Sequence, residues 1–592
     1  MKAHRSKLVD LDWLESNFPC MQACPVRTEA GRYVALIAQG RYEEAYRYAR
    51  RPNPLASICG RVCGHPCETD CRRGKLDAPI SIRALKRFLT ERHGPESRNP
   101  VNVYPDHIAG GSRQEHVAII GSGPAGLAAA HDLALLGYPT TIFDAAPVPG
   151  GMMHLGIPEY RLPRDVLRAQ VREILDLGVT LRLNARLGRD FSLQSLRAEG
   201  FKAILLAIGL HQGRKLRVEG EDLDGVISGI DFLLNINLGY RFSIGKKVVV
   251  IGGGNVAIDV ARSALREEQR TATEQIAMKE LMDVSRSALR MGAHEVHLMC
   301  LESREEMPAS EDEIEEGLRE GLKIHPSLGS KRFVGNQGKL TGIETIRCSS
   351  VFDTQHRFNP TFEPGTDAVI ECDTVILAIG QASDLSFLAP EDGVEVTRQG
   401  TIQIDPETLM TTAPGIFAAG DIAFGPRLII NAVADGKKTA EQMDRYLRGA
   451  EWQPRSRLVQ ITVLDHHQMP ELYDTYSRLP VPVVALDRRT GVAEVEVGYS
   501  EREARTEAQR CLQCWINTIF EGNEEDGTEC ILCGGCVDVC PEECLKLVPV
   551  SEGSMMIKDE TICIRCGLCA ERCPAHTITM EAFETFEVSR RD

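Results

Sequence analysis

The clearest pattern of apolar and polar positions is a buried-strand run, His116-Val117-Ala118-Ile119-Ile120, that enters a glycine turn and then a small-residue helix, Gly121-Ser122-Gly123-Pro124-Ala125-Gly126-Leu127. A strand, a turn and a helix in that order predict a dinucleotide cradle. Gly121 permits the tight turn, Gly123 lets the backbone approach a pyrophosphate, and Gly126 lets the helix pack on the strand. The next apolar run, Thr140 to Phe143, ends on Asp144, where an acid would meet a ribose hydroxyl. The same pattern recurs in Lys247-Val248-Val249-Val250-Ile251 followed by Gly252-Gly253-Gly254-Asn255-Val256-Ala257, with Gly252, Gly254 and Ala257 in the three fingerprint positions. Two dinucleotide sites in one chain imply an internal hand-over, one site for a flavin and the other for a nicotinamide.

Other apolar runs organise the chain around these two cradles. Ile204 to Gly209 and Val375 to Gly380 share one form, and Gly415-Ile416-Phe417-Ala418-Ala419-Gly420 ends on Asp421, which is placed to hold a ribityl hydroxyl. After Asp144, Val148-Pro149-Gly150-Gly151-Met152 suits a loop over a large cofactor. The expected class is multidomain: a helical iron-sulfur domain (1–113), an α/β, Rossmann-like FAD domain in two halves (114–240 and 365–450) and an inserted NAD(P) domain (241–364). A polar connector (451–520) with one strand-like run, Val481 to Leu486, leads to an α+β ferredoxin domain (521–592). A helix over Leu265–Leu289, rich in Glu, Gln, Arg and Met, reads as a surface insertion.

Composition narrows the function classes. The chain has 592 residues, enough for several cores, and a formal net charge of -16, which argues against nucleic acid as a partner. No apolar run approaches a membrane span, and the N-terminus lacks a signal-peptide core, so a cytoplasmic protein is expected. His466 and His467 have no carboxylate or cysteine pattern beside them and read as ordinary histidines.

Twenty cysteines change the picture most, because they cluster. Cys20, Cys24, Cys59, Cys63, Cys67 and Cys71 open the chain; with no secretion signal, such spacing suits iron and sulfide, zinc or reduced core thiols rather than disulfides. Near the other end, Cys530-x-x-Cys533-x-x-Cys536-x-x-x-Cys540-Pro541 and Cys563-x-x-Cys566-x-x-Cys569-x-x-x-Cys573-Pro574 are two ferredoxin runs. The fourth cysteine of each such run ligates the other cluster, so one [4Fe-4S] cluster would use Cys530, Cys533, Cys536 and Cys573, and its partner Cys563, Cys566, Cys569 and Cys540. Cys544 is spare, and Cys300, Cys348 and Cys372 stand alone.

Over roughly residues 15 to 515 the N-terminal cysteines, GSGPAG, IPEYRLP, GGGNVAID and AAGD stand in the order of the glutamate synthase small subunit and the related reductase half of dihydropyrimidine dehydrogenase, a family this chain resembles. The resemblance implies FAD on Gly121, Gly123, Gly126, Asp144 and Asp421, a nicotinamide cofactor on Gly252, Gly254 and Ala257, and two [4Fe-4S] clusters in the N-terminal domain. The C-terminal ferredoxin module is absent from the glutamate synthase subunit, and this chain has no substrate barrel like that of the pyrimidine enzyme. Relatives that use NADPH carry two arginines where Leu301 and Glu302 stand here; Glu302 would bind a ribose diol and repel a 2'-phosphate, which predicts NADH over NADPH, with Arg304 near enough to compensate. Relatives also begin with a Cys-x-x-Cys preceded by a Glu-Ala-x-Arg helix, missing before Cys20 but present as Glu507-Ala508-Gln509-Arg510-Cys511-Leu512-Gln513-Cys514. Cys511 and Cys514 are therefore expected to join Cys20 and Cys71, while Cys24, Cys59, Cys63 and Cys67 hold a second cluster. Lys86 stands where some relatives replace a cysteine ligand, but an ammonium cannot donate electrons to iron.

The expected function is an NAD(P)H:ferredoxin-type oxidoreductase with FAD and four [4Fe-4S] clusters, built as the flavin subunit of a larger complex. The alternatives are the reductase subunit of a glutamate-synthase-like enzyme and a wiring subunit without turnover of its own. No Cys-x-x-Cys stands beside the nicotinamide cradle, which removes a disulfide-reductase reading.

Overall fold

The computed structural model describes residues 10–104, 113–240, 244–267, 293, 295–451, 456–467, 469, 475–489, 491–520, 530–551 and 553–588. Most of the expected Leu265–Leu289 helix lies outside them; the helix Asn255–Glu267 is described to its end. The chain forms two compact units, one from 108–447 with 483–497, the other from 1–107, 448–482 and 498–592.

The first unit holds two five-stranded parallel sheets. One runs Ile416–Ala418, Phe201–Leu206, His116–Ile120, Thr140–Phe143, Thr180–Arg182. The other runs Val226–Ser228, Thr374–Leu377, Lys247–Ile251, Glu295–Met299, Lys323–His325. In each sheet the central strand is the one that enters a glycine turn, and its interior residues are all buried, as a strand covered on both faces must be. An antiparallel sheet built on Leu328–Asn336 and the long strand Lys339–Phe352 follows the second parallel one.

These sheets move one expected boundary. The run from Val375 was assigned to the returning half of the FAD domain, but Val375 and Ile376 pair with Val249 and Val250, so the strand completes the nicotinamide sheet. The likeness between the Ile204 and Val375 runs has a physical reason. Each run ends on an alanine whose carbonyl oxygen would lie about as close to a β-carbon on the first cradle glycine: Ala207 at 2.3 Å for Gly121 and Ala378 at 2.4 Å for Gly252. They are equivalent strands of two similar sheets.

In the other unit the two ends of the chain share one core. Helices Ala30–Ala38, Tyr42–Arg50 and Ile82–His93 share a core with the antiparallel sheet of Ser456–Val463, Ile578–Val588 and Ile516–Phe520, and Ala56–Val62 packs on Ile82–His93. Phe18 lies tilted against Trp515 (ring centroids 5.9 Å apart) and edge-on to Phe583 (6.3 Å). Gly31 is what admits the indole, since a β-carbon there would lie 2.9 Å from it. Residues 451–520 are thus not a polar connector: they supply a strand, the helix Glu501–Ala508 and the strand that carries on from Trp515. The expected strand at Val481–Leu486 is reduced to a single bridge between Val483 and Glu496, because Pro480 and Pro482 remove backbone donors.

Candidate functional site

The first cradle has the stereochemistry its glycines promise. Gly121 has φ +108°, which a side chain would strain, and a β-carbon on Gly126 would lie 2.0 Å from the Gly121 carbonyl oxygen. At Gly123 a β-carbon would meet nothing within 4 Å, so the turn and the N-terminus of the helix Pro124–Leu135 open onto free space. A space edged by backbone N–H groups and closed to side chains fits a pyrophosphate. Asp144 is buried at the end of the next strand and accepts from the Ser122 amide (2.7 Å), the Ser122 hydroxyl (2.5 Å) and the Ala146 amide (2.8 Å). Gly150 donates to the Ser122 carbonyl and hydroxyl at 3.1 Å, and Gly151 (φ +54°) lies against Gly123, which docks the Val148–Met152 loop on the turn. Asp421 opens a short helix after Gly420, and burial pushes its carboxyl up to about 6.

Ser122 and Gly436 were not foreseen. Gly436 lies inside the helix Ile429–Arg448, where a β-carbon would fall 2.1 Å from the Ala125 carbonyl, so it seats that helix on the start of the cradle helix. Its signal was available: glycine inside a helix costs about 1 kcal/mol against alanine and calls for a packing reason.

The second cradle repeats the geometry. Gly252 has φ +146°, the Ala257 methyl sits 3.2 Å from where a Gly252 β-carbon would be, and Gly254 faces open space. The Glu302 carboxylate lies over the turn, 2.8 Å from a β-carbon built on Gly253. Arg304 does not reach toward it; it is paired with Glu311. The Ser303–Ser310 loop is fixed over the turn by Ala309 donating to the Gly253 carbonyl (3.0 Å) and Ser310 to Asn255 Oδ1 (2.9 Å). Behind the cradle, Arg161 of the IPEYRLP loop makes a two-oxygen pair with Asp259 (2.7 Å each) and a third bond to Glu313. Arg262, Arg266 and Arg489 all reach Glu320.

In the other unit the grouped cysteines lie near one another at both ends of the chain. Cys20 is buried and its thiol is pushed up, first by burial and then by the neighbouring Cys514, Cys71, Cys511 and Cys67. Cys511 in turn faces Cys514 and Cys71. The second set has Cys67 facing Cys24 and Cys63, while Cys59 hydrogen-bonds Cys63 and holds that thiol down, to about 6. The Lys86 ammonium is buried among Cys24, Cys59, Cys63 and Cys67. In the C-terminal module Cys530, Cys533, Cys536 and Cys573 line one cavity. Cys540 reaches the other run through Cys544, whose sulfur is 3.3 Å from that of Cys540 and hydrogen-bonds Cys563, holding it down to about 4. The spare Cys544 therefore packs between two members of one set.

The helix that leads into Cys511-x-x-Cys514 is anchored on residues 77–81. Ser500 and Glu503 form a capping box that starts it, and Glu507 and Arg510 are fully buried. Glu507 accepts from the Ser81 amide (3.0 Å) and from Arg510 (2.7 Å), and Arg510 donates to the Ala78 carbonyl (2.6 Å) and Asp77 (2.8 Å). The step itself has the backbone of a ferredoxin step: Gln513, Leu532 and Arg565, each just before the second cysteine, have φ of +50°, +54° and +61°. Cysteine sulfur is a soft donor, suited to iron and sulfide.

Two dinucleotide folds in one unit, with thiolate sets in the other, define an iron-sulfur flavoprotein oxidoreductase that uses NAD(P). Residues 115–436 match the model of the pyridine nucleotide-disulphide oxidoreductases, and the chain belongs to that family. Residues 15–97 match the domain II 4Fe-4S model of dihydropyrimidine dehydrogenase, and 529–577 a 4Fe-4S dicluster domain. The chain is 40% identical to the NADP(+)-dependent formate dehydrogenase subunit beta of Moorella thermoacetica over 84% of its own length and 70% of that protein's. It is 34% identical to the NADPH-Fe(3+) oxidoreductase subunit beta of Geobacter sulfurreducens (84% and 75%) and 32% to the NAD-dependent dihydropyrimidine dehydrogenase subunit PreT of Salmonella typhimurium (73% and 92%). No helix among the described residues is long and apolar enough to cross a membrane.

Proposed function

We propose that the chain binds FAD at the Gly121–Gly126 cradle, NADH in preference to NADPH at the Gly252–Ala257 cradle, and four [4Fe-4S] clusters on its four cysteine sets. In this reading it serves as the electron-transferring subunit of a larger complex, with a ferredoxin or another redox subunit as acceptor. The flavin supplies the exchange between a two-electron hydride and single electrons, and the clusters supply a one-electron relay. The chain's side chains hold and orient these groups. Ser122 and Asp144 brace the phosphate turn, Gly150 and Gly151 cover it, and Asp421 offers a carboxylate to a flavin hydroxyl.

The observation that carries the proposal is that Cys514, Cys71 and Cys511 neighbour Cys20, which supports four thiols in each N-terminal set. It also links those sets to the ferredoxin module, since the buried Arg565 guanidinium lies near both Cys563 and Cys514. Iron analysis of the purified full chain tests it: about sixteen irons per chain are expected, and about twelve in a Cys511→Ser, Cys514→Ser double variant. A double variant that keeps all sixteen would refute the shared set.

For the nicotinamide, the position of Glu302 over the turn supports NADH, and Arg304 is held by Glu311 rather than free to receive a phosphate. Among the relatives, the Moorella and Geobacter subunits are named for NADP(H) and the Salmonella subunit for NAD, so the choice rests on this residue. Dye reduction by the chain should show kcat/KM at least about tenfold higher with NADH, and Glu302→Ala should narrow the gap through the NADPH value. Equal values in the unaltered chain would reject the preference.

A further inference from the structure

Three of the cysteines placed in cluster sets are followed by proline and then by one and the same backbone path. In Cys24-Pro25-Val26-Arg27-Thr28, Cys540-Pro541-Glu542-Glu543-Cys544 and Cys573-Pro574-Ala575-His576-Thr577, the third residue after the cysteine donates its amide to the cysteine carbonyl, at 2.8, 3.3 and 3.3 Å. That residue is left-handed each time, with φ of +57° at Arg27, +50° at Glu543 and +52° at His576. None of the three is glycine, so the turn is held against its own strain. Its effect is to swing the fourth residue's side chain back onto the cysteine. Thr28 Oγ1 is 3.5 Å from Cys24 Sγ, Cys544 Sγ is 3.3 Å from Cys540 Sγ, and Thr577 Oγ1 is 3.4 Å from Cys573 Sγ.

We propose that Thr28, Cys544 and Thr577 each donate a hydrogen bond to the thiolate of a cluster ligand, and so raise the reduction potentials of the three clusters that those ligands hold. The inference rests on the cluster reading above. A thiolate sulfur bound to iron can only accept, so the hydroxyl or thiol facing it must donate. A donor at sulfur offsets negative charge, and a reduced cluster carries one more negative charge than an oxidised one, so the bond favours reduction. The fourth set has no such turn: Cys514 runs straight into the strand Ile516–Phe520, and Thr518, four residues on, gives its hydroxyl to the Met580 sulfur at 3.4 Å.

The test is a redox titration of the full, cluster-loaded chain followed by electron paramagnetic resonance, with Thr28→Val, Cys544→Ala, Thr577→Val and Thr577→Ser. Valine keeps the shape of threonine and removes only the donor. Each loss of a donor should lower the potential of its own cluster by roughly tenfold in the one-electron equilibrium, which is about 59 mV, and leave the other three in place. Thr577→Ser should keep the original potential. Unmoved potentials in variants that retain full iron would overturn the proposal and leave the cluster reading intact. An unaltered chain that holds well under sixteen irons would remove the reading and the proposal together. Loss of iron in Cys544→Ala would make Cys544 a ligand and overturn its role as donor.

Discussion

Replacing Glu320 by glutamine should loosen the ion-pair network behind the nicotinamide cradle, and its cost can be worked from the ion pairs. Glu320 is 7% exposed and accepts from Arg262 (2.9 and 3.0 Å), Arg266 (2.6 and 2.7 Å) and Arg489 (3.1 Å). Burial opposes its charge, but the arginine hydrogen bonds and charges win and hold the carboxyl down from 4.5 to about 2. That lowering corresponds to roughly 3 kcal/mol of stability at neutral pH, within the range of about 3–5 kcal/mol for removing one partner of a buried pair. Four arginines (161, 262, 266, 489) face four acids (Asp259, Glu313, Glu316, Glu320) in the network, so the variant leaves one buried positive charge in excess. The folded pKa is depressed, so the stabilisation is complete above about 4.5 and is lost as pH falls toward 2; at pH 4 about 1 kcal/mol should already be gone. The release of flavin fluorescence on heating reports this unit alone, which avoids treating a multidomain chain as two-state. At about 2.1 cal/mol/K per residue over the ~350 residues of the unit, 3 kcal/mol lowers the midpoint by roughly 4 °C. The gap between the two proteins should be full at pH 7 and smaller at pH 4. A midpoint unchanged at pH 7, or a gap that does not shrink on acidification, would refute the reasoning.

Gly126→Ala should yield a chain with normal iron but little flavin on purification, because the new methyl would meet the Gly121 carbonyl at 2.0 Å; absorbance of bound flavin against iron content reads this out. Asp421 is raised to about 6 by burial, so in the flavin-free chain it is protonated below that pH and costs stability once charged. A flavin hydroxyl that donates to the carboxylate favours the charged form. Flavin affinity, read by fluorescence quenching, should therefore rise as pH increases through about 6 and level off above it, and Asp421→Asn should flatten the profile.

The parts of this molecule that could be read from the sequence are those where chemistry acts on neighbouring residues. Gly121, Gly126 and Gly252 announce a turn and a close approach within a dozen residues, and the structure has both. The Cys511-x-x-Cys514 step was picked out by its resemblance to the Glu-Ala-x-Arg and Cys-x-x-Cys of relatives, and the structure gives it the backbone of the Cys530 and Cys563 steps: two intervening residues, the second at positive φ. Pairing between distant segments was not legible. The Val375 run has the same apolar pattern whichever sheet it joins, and only its register with Val249 and Val250 decides. Glu507 and Arg510 were visible as residue types, but their partners at Asp77, Ala78 and Ser81 lie more than 400 residues away. The Cys-Pro-x-x-Thr or Cys repeat lies between these cases. It stands in the sequence three times, yet it gains meaning only once the left-handed turn is seen to return the fourth side chain to sulfur. Spacing identifies a ligand when the metal group itself imposes the distance; a residue that acts on the ligand is placed by backbone conformation, so three repeats of one turn are needed before its side chain can be assigned a task.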